Sequence, residues 1–591
     1  MTETYTTEGW ILNDLFPGHD TPEMGKAFDN LESRISEFEK RRELLDADIA
    51  EDDFLDFLHH LEKTTRLASR MQQYAGLWFS EDTLNQDATT FQAKTQQQMA
   101  ELQNRTMFFS LWWKGLDNKT AARLMETAGE YRYYLQRLRN FKPYTLTEPE
   151  EKIINIKDIT GANALQTLYR AMTNRYVFRV EVDGEEKELT RGELMTLVYN
   201  PDADLRARAY QELYRVYGED GPILGQIYQA LVRDYRNENI ELRKFPRPIS
   251  VRNLSNDVPD TVVDTLLDVS EKNAALFQRF FKLKARLLGV EKLRRYDIYA
   301  PVASSDKKYE FNDAVAMTLK AFAGFNPQIA ELAQRVFSEK HIDSQVRKGK
   351  RSGAFCSSGD PVLTPFVLMN YDGSVRDVST LAHELGHAIH AMLASHHNVF
   401  DFHASLPMAE TASTFAEMLL IDQLLETEKD ENVRRDILFS QVDDSYATIM
   451  RQIFFALFER EAHELVTQGA SVDKLSDLYM RILQKQFADS LGIGEEFRWE
   501  WVSIPHIYDV PFYVYAYAFG QLLVFSLYKQ YKEEGASFVH RYLEILKAGG
   551  SMPPGEILEQ AGIDMTKAEF WQGGYDVIEE MVAQLEAIPW P

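Results

Sequence analysis

A single cysteine, Cys356, stands in 591 residues, so no intrachain disulfide can form. That fits a reducing compartment. No stretch approaches the roughly 18 uninterrupted apolar residues that a membrane-spanning helix needs. No Gly-, Ser- or Pro-rich tract divides the chain into obvious domains, and no segment repeats. Basic excess is also missing: 65 Lys and Arg against 91 Asp and Glu give a net charge of −26. Such a surface repels nucleic acid and anionic membranes, so neither is an expected partner. Residues 1–8 are polar and acidic without the pattern of a signal peptide, and the expected location is the cytoplasm. What remains, 45% hydrophobic and 26% charged residues, is the composition of a globular protein whose length corresponds to about three or four domain-sized units.

Helical periodicity dominates. Thr21 before Pro22 is a cap followed by proline at the first helical position. Met24, Phe28, Leu31, Ile35 and Phe38 then follow at alternating spacings of four and three, a stripe that packs on another helix. Helices are expected over about 52–78 and 88–140, and Thr147 with Glu150 forms a capping box. Residues 177–182 and 185–189, joined by Asp183-Gly184, read as a β-hairpin. The expected division is an N-terminal helical lobe, 1–190, and a catalytic region, 191–591. Glu459 and His463 lie four apart on a helical pattern but have no companion motif, and are read as structural.

One five-residue run carries the chemistry: His383-Glu384-Leu385-Gly386-His387. On a helix, residues four apart share a face, so two imidazoles can grip one Zn²⁺ with a glutamate beside the metal's water. The plain alternative is a helix with two ordinary histidines and a solvated carboxylate. Context favours the metal. Val378, Leu381, Ala382, Leu385, Ala388, Ile389 and Met392 make an amphipathic helix around the run. Gly386 costs about 1 kcal/mol of helix propensity relative to alanine, which makes sense if something approaches the backbone closely. Residues 365–373 read as an apolar strand and a turn, an edge against which an extended peptide can lie.

A catalytic zinc needs three protein ligands and one open position. Glu410, 27 residues after His383 at the start of another helical pattern, is the best third ligand. Ala409, Ala412, Ser413 and Ala416 are small enough to let that helix approach the first. Glu417, seven residues past Glu410, points the same way and can accept a ligand imidazole's N–H, unless it is simply a surface carboxylate.

These residues, with the flanking Asp377–Ala382 and Glu410–Phe415, resemble the oligoendopeptidase F branch of the thimet oligopeptidase (M3) metallopeptidases. Lys350–Phe355 and Tyr296–Pro301 resemble two further family segments, and the likeness runs from about residue 110 to the C-terminus. It implies a mainly α, two-lobed metallopeptidase with a deep central channel and a small β-sheet beside the zinc helix. It implies one Zn²⁺ per chain on His383, His387 and Glu410, and Glu384 as the base that activates the attacking water. It implies oligopeptide substrates, since an enclosed channel excludes folded proteins. Gly353, Ala354 and Phe355 are candidate substrate-binding residues. In the family the segment 504–520 supplies transition-state donors. The expected order is Tyr515 and His506, then Tyr508, with Tyr513 as a substrate contact and Tyr517 as packing or a substrate contact. Cys356 is expected to be a buried, inert thiol near that region. Two other readings stay open: a related carboxypeptidase or dipeptidyl carboxypeptidase, and a non-catalytic peptide-binding clamshell.

Overall fold

The computed structural model describes residues 4–302 and 307–589. Helices make up most of it, and the sheets are small. The first helix, Pro22–Lys40, starts where Thr21 caps the amide of Met24 and buries Met24, Ala27, Leu31, Ile35 and Phe38. Thr147 and Glu150 form the expected capping box. The hairpin pairs Phe178–Val182 with Glu185–Leu189 in antiparallel register. Asp183 and Gly184 both take positive φ, +56° and +81°, as a two-residue turn of that hand requires.

The chain folds into two compact units, each assembled from three segments. Unit 1 comprises Met1–Pro143, Asp306–Thr427 and Leu527–Asp564; unit 2 comprises Tyr144–Ser305, Glu428–Ser526 and Met565–Pro591. The chain therefore changes unit after residues 143, 305, 427, 526 and 564. The change after Ser526 falls inside the helix Tyr515–Glu534.

In unit 1, a core including Trp10, Phe16, Met71, Tyr74 and Phe91 closes against Phe366 and Leu368. Three short strands meet there: β1 (Ile342–Asp343), β2 (Phe355–Ser357) and β3 (Phe366–Leu368), in the order β1-β3-β2. β3 pairs parallel with β1 and antiparallel with β2. The expected edge, the strand near 366, is thus the buried centre of the sheet, because Phe366, Val367 and Leu368 are apolar on both faces and fully covered. β2 is the edge. Lys350 anchors the connection between β1 and β2. Its ammonium is buried within hydrogen-bonding distance of Asp343 Oδ1, at 2.8 Å, and of the carbonyls of Asp343, Gln345 and Met369, which share its three N–H groups.

Unit 2 contains buried ion pairs, among them Arg295 with Glu500 at 2.8 Å and Arg206 with Asp297 at 2.8 Å. Among the described residues no helix is long and apolar enough to cross a membrane.

Candidate metal centre and adjoining cleft

The His383–His387 run lies on a helix of 19 residues, Val375–Leu393, here called the motif helix. Ser374 caps it by accepting the amide of Asp377, while Asp377 accepts the amide of Ser374 at 3.0 Å. This reciprocal pair settles where the helix begins. Its apolar positions Val378, Leu381, Leu385 and Ala388 are fully buried. That leaves the faces of His383 and His387 half-open.

Glu410 immediately precedes a second helix, Thr411–Thr427, here called the carboxylate helix. The two helices approach at Gly386. A Cβ built there would lie 2.5 Å from Ser413 Cα and 2.7 Å from the carbonyl oxygen of Ala412. No side chain fits in that space, so the glycine is what admits the neighbour.

The close approach brings the polar groups together. Glu410 Oε2 lies 3.3 Å from Nε2 of His383 and 3.3 Å from Nε2 of His387. The hydroxyl of Ser413 donates to the same oxygen at 2.7 Å. His383 Nδ1 lies 2.6 Å from Glu417 Oε1, so it donates there and turns Nε2 toward Glu410. Two imidazole nitrogens and a carboxylate oxygen thus converge within 4.8 Å of one another, an arrangement suited to a divalent metal ion.

The imidazoles and carboxylates shift one another's charge states. Burial works against ionising Glu410, yet His387, His383 and Ser413 outweigh it and hold its pKa down to about 2. Burial disfavours a charged His383, but Glu417, Glu410 and Glu384 push its pKa up to about 9. Glu384 is 6% exposed, and its Oε2 has no hydrogen-bond partner. Burial raises its pKa above that of a free glutamate, against the pull of the two histidines. His390 is buried, and mainly for that reason its pKa falls to about 4; it borders the cleft but is not among the three converging groups.

These groups open into a cleft of about 610 Å³. Its walls include His383, Glu384, His387 and Glu410 on one side and Ala354, Phe355, Cys356 and Ser357 on another. Strand β2 therefore presents its edge to the cleft. Gly353 is not itself in the wall. It holds φ at +81°, and its carbonyl accepts from Asn370 Nδ2 at 2.9 Å, which turns the chain into β2. Burial, with Glu384 nearby, pushes the Cys356 thiol well above its usual pKa, which keeps it un-ionised.

The expected donors of the 504–520 segment all belong to unit 2, and the structure sorts them differently from the sequence. Tyr508 is 1% exposed, stacks on Tyr169 with ring centroids 3.9 Å apart, and donates to the carbonyl of Leu224. Tyr515 is fully buried, and its hydroxyl accepts from Asn256 Nδ2 at 2.9 Å. Both are packed in the core. The more accessible polar edges belong to His506, Tyr513 and Tyr517. The Tyr517 hydroxyl lies 3.4 Å from His506 Nε2, and Tyr513 lies parallel to the His506 ring and edge-on to Tyr517. A break at Val510–Val514 between two helices resets the register. Phe512, left-handed at φ +58°, marks it. Continuous helical spacing could not have predicted which tyrosines end up outside.

Residues 196–577 match the profile of peptidase family M3, and residues 112–178 match that of oligopeptidase F. The chain is 27% identical over 598 aligned residues to oligopeptidase PepF of Bacillus subtilis, covering 99% of this chain and 88% of that protein. It is 29% identical to an oligoendopeptidase F homolog of Borreliella burgdorferi, covering 96% and 95%. Among solved structures, a putative peptidase from Chlamydophila abortus superposes with a TM-score of 0.88 at 24% identity over 98% of both chains. Oligoendopeptidase-F from Enterococcus faecium gives 0.72 at 25% identity over 95% of this chain and 99% of that one. The two profiles adjoin between residues 178 and 196, whereas the compact units interleave along the chain. A profile that spans most of the chain, including the motif helix, settles the kinship: the chain belongs to peptidase family M3, in its oligopeptidase F branch, and is a metallopeptidase.

Proposed function

We propose that the protein is a zinc-dependent endopeptidase that hydrolyses short peptides, with His383, His387 and Glu410 holding the metal and Glu384 acting as the base. One observation carries the reading. Both Nε2–Oε2 separations are 3.3 Å, the edge length of a tetrahedron with metal–ligand bonds of about 2.0–2.1 Å. Two nitrogens and one oxygen would be the protein donors of a catalytic zinc site. When bound, zinc supplies a Lewis acid that polarises the scissile carbonyl and lowers the pKa of water toward about 7.

The chain's own groups do the rest. Glu384 lies in the cleft wall with an unpartnered carboxylate oxygen. That oxygen takes a proton from the attacking water and returns it to the leaving nitrogen. The upward pull of burial on its pKa suits it to hold that proton between the two steps. Glu417 fixes the His383 ring through Nδ1. The free edge of β2 accepts an extended peptide by main-chain hydrogen bonds, which gives affinity without side-chain selectivity. The relatives named as oligopeptidases and oligoendopeptidases support peptide substrates of limited length. Within unit 2, His506, Tyr513 and Tyr517 are the residues of the 504–520 segment that keep accessible polar edges. Tyr508 and Tyr515 are left out because their hydroxyls are sealed in the core.

The test is product mapping on an internally quenched peptide of about ten residues with an amidated C-terminus. Internal cleavage supports the endopeptidase. Cleavage only when the C-terminus is free would replace it with a carboxypeptidase.

A further inference from the structure

A second group of metal-type ligands lies elsewhere in unit 1. Asp14, Glu339 and His341 bring a carboxylate oxygen each and an imidazole nitrogen within 4.8 Å of one another. Two exposed carboxylates alone would mean nothing; His341 is what distinguishes the cluster. Its side chain is 1% exposed. The ring stacks on Phe366 with centroids 3.8 Å apart. Nδ1 lies 2.9 Å from the carbonyl of Thr364. A carbonyl only accepts, so Nδ1 carries a proton, which leaves Nε2 as the nitrogen able to offer a lone pair on the other side of the ring. That nitrogen is buried and makes no hydrogen bond, although Asp14 Oδ2 lies 3.3 Å away. A histidine whose Nδ1–H is tied to a backbone carbonyl while Nε2 faces carboxylates is the arrangement in which imidazoles ligate metals.

The carboxylates suit the role. Glu339 offers a carboxylate oxygen to the cluster. Arg335 Nε is 3.2 Å from one oxygen, Oε1. It occupies only part of the carboxylate's acceptor capacity. Asp14 sits on the N-terminal segment that docks alongside β1. Ser344 donates to the Glu8 carbonyl and Ile11 to the Lys340 carbonyl, each at 2.9 Å.

We propose that Asp14, Glu339 and His341 form a second divalent-cation site, of the Zn²⁺ or Mn²⁺ class by its nitrogen-and-oxygen donor set, which clips the N-terminal segment to the sheet whose edge lines the cleft. The site is structural, and it stands whether or not the motif helix carries the catalytic ion. A bare ion pair between a protonated His341 and Asp14 is the alternative.

The experiment measures bound metal in the full chain after equilibration with buffered Zn²⁺, and separately Mn²⁺, for wild type, Asp14→Asn, His387→Ala and the double variant. Asp14 has an exposed side chain, so the Asn variant should fold where a His341 variant need not. The expected result is two ions in wild type, one in each single variant and none in the double. Zn²⁺ should raise the melting temperature of His387→Ala but not of the double variant, and peptidase activity should survive in Asp14→Asn. One saturating ion in wild type that disappears with His387→Ala would overturn the proposal and leave the ion pair. So would two ions retained in Asp14→Asn, or uptake that never saturates. Two ions retained in His387→Ala would instead sink the motif-helix metal centre and leave this site standing.

Discussion

Two helices carry the same four-residue pairing and put it to opposite ends. On the motif helix, His383 and His387 face a cleft, and Glu410 and Glu417 come in from the carboxylate helix to meet them. On the helix Arg451–Thr467 of unit 2, Glu459 and His463 stand at the same spacing but are 0% and 1% exposed. Neither nitrogen of His463 has a partner, and its ring is packed against Tyr235 and Phe512. Glu459 accepts only the amide of the left-handed Phe512, at 2.9 Å. Burial drives both toward neutrality: the His463 pKa falls to about 3, and the Glu459 pKa rises to about 8. Spacing therefore makes a ligand pair only when a neighbour supplies opposite charge and an opening. The glycine at 386 is what lets that neighbour in.

The contrast can be broken at several points. The largest effect belongs to His387→Ala, which should lose the bound catalytic metal and reduce peptide hydrolysis to background while the circular dichroism spectrum stays helical. Metal analysis beside a quenched-peptide assay checks it.

Next comes Glu459→Gln, read by denaturation as a function of pH. The folded state holds the Glu459 proton up to about pH 8, whereas an unfolded glutamate releases it near its ordinary pKa. This group's contribution to stability is therefore fully present at low pH and is lost as pH rises toward 8, at no more than about 1.4 kcal/mol per pH unit. The Gln variant should gain on wild type between pH 5 and pH 8. A flat difference would mean that the carboxyl is ionised in the fold.

Gly386→Ala should destabilise by about 1–3 kcal/mol, because the new methyl group must displace the backbone at Ser413. It should also weaken metal binding by moving Glu410. Unchanged stability would mean that the helices can separate at little cost.

The smallest effect is expected for His463→Phe. Removing two unsatisfied buried nitrogens should change stability by about 1 kcal/mol or less at neutral pH, and leave metal content untouched. Loss of metal in this variant would end the comparison, since the two pairs would then not be independent.

Much of this was legible in residue order, because helices are local objects. The motif helix, its apolar stripe and the shared direction of the carboxylates at 410 and 417 follow from a repeat of 3.6 residues, and the close approach at Gly386 from a glycine placed where helix propensity disfavours it. The Asp183-Gly184 hairpin follows from turn chemistry. The Ser374–Asp377 capping box was equally readable and marks the helix start. Sheet order was not legible. Placing β3 between β1 and β2 depends on pairings across intervening loops, and no local pattern reports them. The exposure of Tyr513 and Tyr517 rather than Tyr508 and Tyr515 turns on the break around Phe512, where helical phase is lost. The unit boundaries were hidden for another reason. The chain returns to each unit repeatedly, once in mid-helix, so no linker composition marks a crossing.

The central claim is that Glu384 moves the proton while His383, His387 and Glu410 hold the metal. Wild type and Glu384→Gln, brought to equal zinc content, should be compared on the same internally quenched peptide. The account predicts that the variant keeps its zinc and its melting temperature and loses about 10²–10⁴-fold in kcat. Full turnover by a zinc-loaded Glu384→Gln protein would contradict it.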